Sequence, residues 1–188
     1  LWEAIKEKLL SPSKEYMDLT IVTGQPGIGK SVGFGNYCVL RSMTDLTKTI
    51  VIVIASTGTH VLVPRDDGKS WDQHTFLEAM PYARGSVRAL IETLGVRDHS
   101  ALVVHDITSA TGVVYFGFQD DFLLDLQRIV AHVHTIVLTS PQKWGFGFAR
   151  KAGVCTIKYL PVWSKEELES AGSFDVQGKY EYCGGVPC

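Results

Sequence analysis

Five short apolar runs, set apart by stretches long enough for a helix, constrain this chain more than any other feature. They occupy residues 19–23, 49–55, 101–105, 135–139 and 154–160. Runs of this length, rich in Val, Ile and Thr, suit strands. Their separation by helical patterns suits a mostly parallel sheet of an α/β domain. Residues 49–55 (Thr-Ile-Val-Ile-Val-Ile-Ala) are apolar on both faces, and this strand and that of 19–23 are both expected inside the sheet. Helices are expected at 2–10, 30–43, 86–94 and 121–132, the last carrying Phe122, Leu123, Leu126, Ile129 and Val130 at helical spacing. Ser164-Lys165-Glu166-Glu167 reads as a capping box opening a final short helix. Between residues 56 and 76 the pattern changes to a β-hairpin turning at Asp67-Gly68, expected as a lobe added to the core.

The chain has 188 residues, 45% of them apolar, enough for one core. Residues 1–16 read as an N-terminal helical flank, 17–171 as the domain, and 172–188 as a loose, glycine-rich tail. The sequence opens without an initiator methionine, inside a helical pattern, so an upstream segment with any targeting signal is expected. The 18 basic and 20 acidic side chains leave a formal charge of -2, without the basic field of a nonspecific nucleic-acid binder. The longest apolar run, 50–55, falls far short of the roughly 18 residues of a membrane-spanning helix. The four cysteines form no C-x-x-C pair and read as reduced thiols. His132 and His134 are expected at a helix end, where a spacing of two points them apart as packed or solvated side chains.

After the first strand comes Gly24-Gln25-Pro26-Gly27-Ile28-Gly29-Lys30-Ser31-Val32, a G-x-x-x-x-G-K-S match leading into a helix. Such a match arises by chance in a chain this long on the order of one time in a hundred. The mechanism requires this context: glycines let successive backbone N–H groups turn inward around a β-phosphate, and the helix start adds its positive end. Lys30 then neutralises the β- and γ-phosphates, and the Ser31 hydroxyl can ligate Mg2+. The alternative is a glycine-rich turn that binds nothing. Asp106, closing the third run, is the candidate second metal residue, holding magnesium through water; an aspartate after a strand is by itself more often a turn residue, and its place after a strand that already carries the loop reverses that. The order of the elements predicts another strand between the loop strand and the Asp106 strand, as in ATPases that activate water with a nearby carboxylate. Ile107 follows Asp106 where many such ATPases have a glutamate, so fast hydrolysis is not expected.

Thr139-Ser140-Pro141 places polar side chains, Ser140 among them, beside the expected γ-phosphate. Lys143, Arg150 and Lys151 flank Trp144-Gly145-Phe146-Gly147-Phe148-Ala149, either a mobile loop bringing Arg150 to the phosphates or a solvated charged loop. No Asn-Lys-x-Asp follows any strand, and Asp106 opens no Asp-x-x-Gly, which favours ATP over GTP. A nucleoside or small-molecule kinase would need an arginine-rich lid, for which Arg84, Arg88 and Arg97 offer little. A module that has kept the fold and lost turnover is the third reading.

These residues resemble a known family, the P-loop NTPase module of Crinkler effectors of oomycetes and fungi and of the retrotransposon hot spot proteins of trypanosomes. The likeness rests on residues 23–31, on Val103-Val104-His105-Asp106, on Val137-Leu138-Thr139-Ser140-Pro141 and on residues 159–168, Tyr-Leu-Pro-Val-Trp-Ser-Lys-Glu-Glu-Leu. It spans most of residues 17–170 and leans to the Crinkler side on Pro161-Val162-Trp163-Ser164. It implies an NTPase coupled to an attached or partner nuclease-like or kinase-like domain. It further implies secretion into a host cell, acting on host protein or nucleic acid, or a nuclear location on the retrotransposon-hot-spot side. No membrane association is implied.

Overall fold

A computed structural model of the chain describes residues 1–10, 18–25, 28–55, 58–77, 80–106, 125–126, 128–139 and 155–170. In chain order these form α1 (Trp2–Leu10), β1 (Asp18–Thr23), a π-helical turn (Lys30–Gly35) running into α2 (Asn36–Asp45), β2 (Thr49–Ala55), β3 (Gly58–Pro64), β4 (Trp71–Phe76), α3 (Met80–Leu94), β5 (Ser100–Asp106), β6 (His132–Leu138), β7 (Cys155–Tyr159) and α4 (Lys165–Ser170). Among the described residues, one mixed α/β sheet holds seven strands in the order β4-β3-β2-β5-β6-β1-β7. The run from β2 to β7 is parallel throughout. As the sequence requires, β1 and β2 are interior strands, and β6 lies between the loop strand β1 and β5.

Alternation along the strands divides the core between the sheet's two faces. Ala101 and Val103 join Ile50, Ile52, Val87 and Ile91 on the side of α3. Leu102 and Val104 join Ile136, Leu138 and Cys38 on the side of α1 and α2, where Trp2, Ile5 and Leu9 are also buried. The N-terminal helix is tied down by polar contacts as well. The Trp2 indole donates to Asp45 Oδ2 at 3.1 Å, Arg41 and Lys6 pair with the same carboxylate, and Ser100 Oγ donates to the Leu9 carbonyl at 3.2 Å. No helix among the described residues is long and apolar enough to cross a membrane.

Several expectations change. The hairpin is not a separate lobe: β3 pairs antiparallel with β2 along Ala55↔Gly58 to Val51↔Leu62, and β4 pairs with β3, so the main sheet is extended. This covers the backbone groups that an edge strand as apolar as β2 would otherwise present to solvent. The turn lies at Asp67-Gly68 as expected, with Gly68 at φ 64. Helix α3 begins at Met80 rather than at 86, because Pro81 is compatible with a first helical turn and Gly85 is tolerated inside it. His132 and His134 lie in β6, not at a helix end, so a spacing of two puts them on the same face. Both are buried, and His134 Nε2 lies 3.2 Å from Thr20 Oγ1. Much of the expected helix 121–132 and the whole tail 172–188 lie outside the described residues.

Candidate functional site

The loop between β1 and α2 is built around two backbone constraints. At Gly24 a Cβ would lie 2.4 Å from Ile28 Cδ1 and 2.9 Å from the Leu160 carbonyl oxygen, so no larger residue fits without displacing the chain beyond β7. At Gly29 the backbone is left-handed, φ 85, immediately before the helical turn. Gly29 therefore reverses the chain direction at the point where Lys30 and Ser31 enter the helix. The carbonyl of Gly29 accepts from both Gly33 N (2.8 Å) and Phe34 N (2.9 Å), which widens this first turn into a π turn. An unbroken α-helix over 30–43 is thus corrected: Gly33 and Gly35, without side chains, permit a wider opening turn before regular helix starts at Asn36.

Lys30 is buried, with only 4% of its surface exposed. Its ammonium donates to the carbonyls of Gly24 (3.0 Å) and Gln25 (2.6 Å), at the mouth of the same loop. A buried ammonium is stable only where it is well solvated by acceptors or faced by an anion. Here the loop's own carbonyls supply part of that solvation. Ser31 is half-buried and the Val32 side chain is 77% exposed. The side chain of Val32 therefore faces solvent, leaving only its backbone for any ligand. Pro26 and Gly27 lie outside the described residues.

The strand register aligns the candidate partners along one edge. Val22 of β1 pairs with Leu138 of β6, which in turn pairs with Asp106 of β5. The Asp106 backbone therefore stands level with Val22, two residues before Gly24 and two strands away, or about 10 Å at ordinary strand spacing. Thr139, one residue beyond β6, is buried and donates its N–H to the Val22 carbonyl at 3.0 Å. In open parallel sheets this carboxyl edge is where ligands sit. Ser140, Lys143, Arg150, Lys151 and the segment 144–149 lie outside the described residues. Among the described residues no cluster of three or more His, Cys, Asp or Glu could hold a metal by itself. The donor set at hand is the Ser31 hydroxyl beside a buried cation, which fits a divalent ion carried mainly by phosphate oxygens.

On the opposite flank of the loop, the chain after β7 forms a wall that motif reading did not single out. Leu160 N donates to the Thr23 carbonyl at 2.8 Å, and the Trp163 indole N–H donates to the Ile28 carbonyl at 3.1 Å. The capping box expected from sequence is formed: Ser164 N donates to Glu167 Oε2 at 2.7 Å and Glu167 N to Ser164 Oγ at 3.2 Å. The reciprocal cap at Ser164 fixes the start of α4 two residues after Trp163. Between this wall and the helix after the loop lies an open cleft of about 600 Å³, lined by Gly29, Phe34, Tyr37, Val162 and Trp163 among others. Tyr37 also packs edge-on with Trp2, ring centroids 6.5 Å apart. In the sequence Trp163 is marked by the Pro161-Val162-Trp163-Ser164 stretch and by its place directly before a capping box, neither of which assigns it to the wall of the loop.

Cys38, on α2, is a buried free thiol, its pKa pushed up to about 12 by burial, and it packs as a small apolar residue. Arg88 pairs with Glu92 and Asp125 at 3.0 and 3.6 Å on the surface of α3.

No family model matches this chain, and no curated protein matches it. Among solved structures, PCH-2 of C. elegans is similar at a TM-score of 0.46 and 15% identity, over 90% of this chain and 42% of that one. The chain thus spans less than half the length of that protein.

Proposed function

We propose that this chain binds a nucleoside triphosphate, ATP with Mg2+, on the loop between β1 and α2 and acts as a slow ATPase or ATP-dependent switch. The observation that carries the reading is the common edge of the sheet. The Gly24–Ser31 loop with its buried Lys30 follows β1, and the Asp106 strand lies two places away with β6 between. In this reading Lys30 leaves the carbonyls of Gly24 and Gln25 and neutralises the β- and γ-phosphates. The inward N–H groups of the loop and the helix start hold the β-phosphate. Ser31 ligates the metal directly and Asp106 holds it through water. When bound, Mg2+ supplies positive charge to the phosphate oxygens. Thr139, just beyond β6, and Ser140 after it in the sequence are the polar candidates for the terminal phosphate, and Arg150 is the first candidate for a cation brought in from the following segment.

Ile107 stands next to Asp106 where a water-activating carboxylate would be needed. Without a base or an assured arginine, Lys30 and the metal alone stabilise the transition state, and an arginine is worth about 10³ to 10⁵ in rate at such sites. The chain alone should therefore turn over more slowly than roughly one per minute. The resemblance to Crinkler and retrotransposon hot spot modules extends the proposal to control of a nuclease-like or kinase-like domain, with delivery to a host cell or a nucleus. Phosphate release from ATP, with and without added nucleosides, tests the reading. Slow release, unchanged by nucleosides and lost with Lys30→Ala, is expected. Release or transfer that depends on an added nucleoside would make the chain a kinase instead, and turnover above several per second would refute the switch.

A further inference from the structure

The cleft beside the loop adjoins the phosphate cradle without interruption, and resting on the nucleotide reading above, we infer that it receives the nucleobase. Three observations converge. The cleft and the loop share Ile28 and Gly29, and the Trp163 ring lies against Gly29, where a Cβ would already meet its Cζ2 at 3.8 Å. A ligand whose phosphates sit at the helix start therefore has its remaining half directed along this wall or away into solvent. The lining is predominantly apolar and partly aromatic, with Phe34, Tyr37, Val162 and Trp163, and its volume of about 600 Å³ is in the range of small-molecule sites. Tyr37 and Val162, from α2 and from the segment after β7, remain 47% and 39% exposed and leave apolar surface in the cleft. A flat base between them removes that surface from water.

Charge sets the direction. Glu166 and Glu167, on α4, are the acidic residues of the lining, whereas Lys30 lies in the adjoining loop with its ammonium at the Gly24 and Gln25 carbonyls. A polyphosphate is repelled from the first and drawn to the second, so the base points toward α4. Exocyclic amino groups on the base are compatible with a carboxylate end. Trp163 has a second part, since its N–H to the Ile28 carbonyl ties the base wall to the loop itself. The ligand class is a nucleotide held at both halves, not a free polyphosphate.

Calorimetric titration with ATP and with inorganic tripolyphosphate, both in Mg2+, tests this. ATP should bind at least about tenfold tighter than tripolyphosphate, in line with the value of base–aromatic contacts. Tyr37→Ala and Val162→Ser, both at exposed positions, should bring ATP close to tripolyphosphate while leaving tripolyphosphate affinity within about twofold of wild type. Retained tripolyphosphate binding also shows that the variants are folded. Equal affinity of wild type for the two ligands, or ATP affinity untouched by both variants, overturns the base site and leaves the phosphate loop standing. Binding of neither ligand overturns both.

Discussion

Lys30 holds a primary ammonium almost out of water, and its two carbonyl acceptors belong to residues only five and six positions earlier. The contact is compatible with a loop that closes on its own cation and opens when phosphates replace the carbonyls. Asp106 has a different role in this scheme, since it is held to act on the metal rather than on the nucleotide. Asp106→Asn should leave metal-free ATP binding intact and abolish most of the gain in affinity that Mg2+ gives wild type. An equal magnesium effect in both proteins makes Asp106 a turn residue. Trp163 acts through the loop. Trp163→Phe keeps an aromatic wall but removes the donor to the Ile28 carbonyl, a bond worth about 1 kcal/mol, or about fivefold. ATP and tripolyphosphate affinities should therefore fall together by that factor. Loss of ATP binding alone would assign Trp163 to the base only. The placement of the loop after β1 and of Asp106 at the end of β5 was legible in the sequence because short apolar runs mark where strands end. Trp163 and Tyr37 were not, because their part depends on two segments more than a hundred residues apart meeting beside one loop.

Among the elements, β-branched runs identified the interior strands, with ends shifted by a residue or a few. Errors arose where a local signal had two meanings. Histidine at 132 and 134 closed a helical pattern, yet Val133, Thr135, Ile136 and Val137 between and after them favour a strand, and burial of β6 on every residue decides it. Two apolar strands joined by Asp67-Gly68 specify a hairpin but not what it packs against. Only the open flank of β2 explains why it joins the main sheet. The hairpin turn has its own pH dependence. Asp67 accepts from Ser70 Oγ (2.6 Å) and from the amides of Lys69 and Ser70 (2.8 Å each), which hold its carboxyl down at about 2. A lowered pKa contributes stability that is present above the ordinary value of 3.8 and is lost as pH falls from there through about 2. The difference in hydrogen-exchange protection of β3 and β4 between wild type and Asp67→Asn should thus be full above that window and vanish across it. A difference that persists at pH 2 would locate the cause elsewhere.

For the whole molecule, the strand order does what no single motif can. It brings the end of the first strand, the end of the third apolar run and the end of the fourth to one edge, with the fifth closing the loop from behind. The sequence predicted one part of this order, a strand between β1 and the Asp106 strand, and β6 occupies that place. The sequence alone could not supply the second flank, formed by residues 160–167 and α2, because nothing in their spacing says which strand they follow back to. The most direct test is a calorimetric titration of folded wild type and Lys30→Ala with ATP and Mg2+. The loop reading predicts that the substitution lowers affinity at least about tenfold, since it removes the principal cation facing the β- and γ-phosphates. Unchanged affinity in a variant with wild-type melting would contradict it.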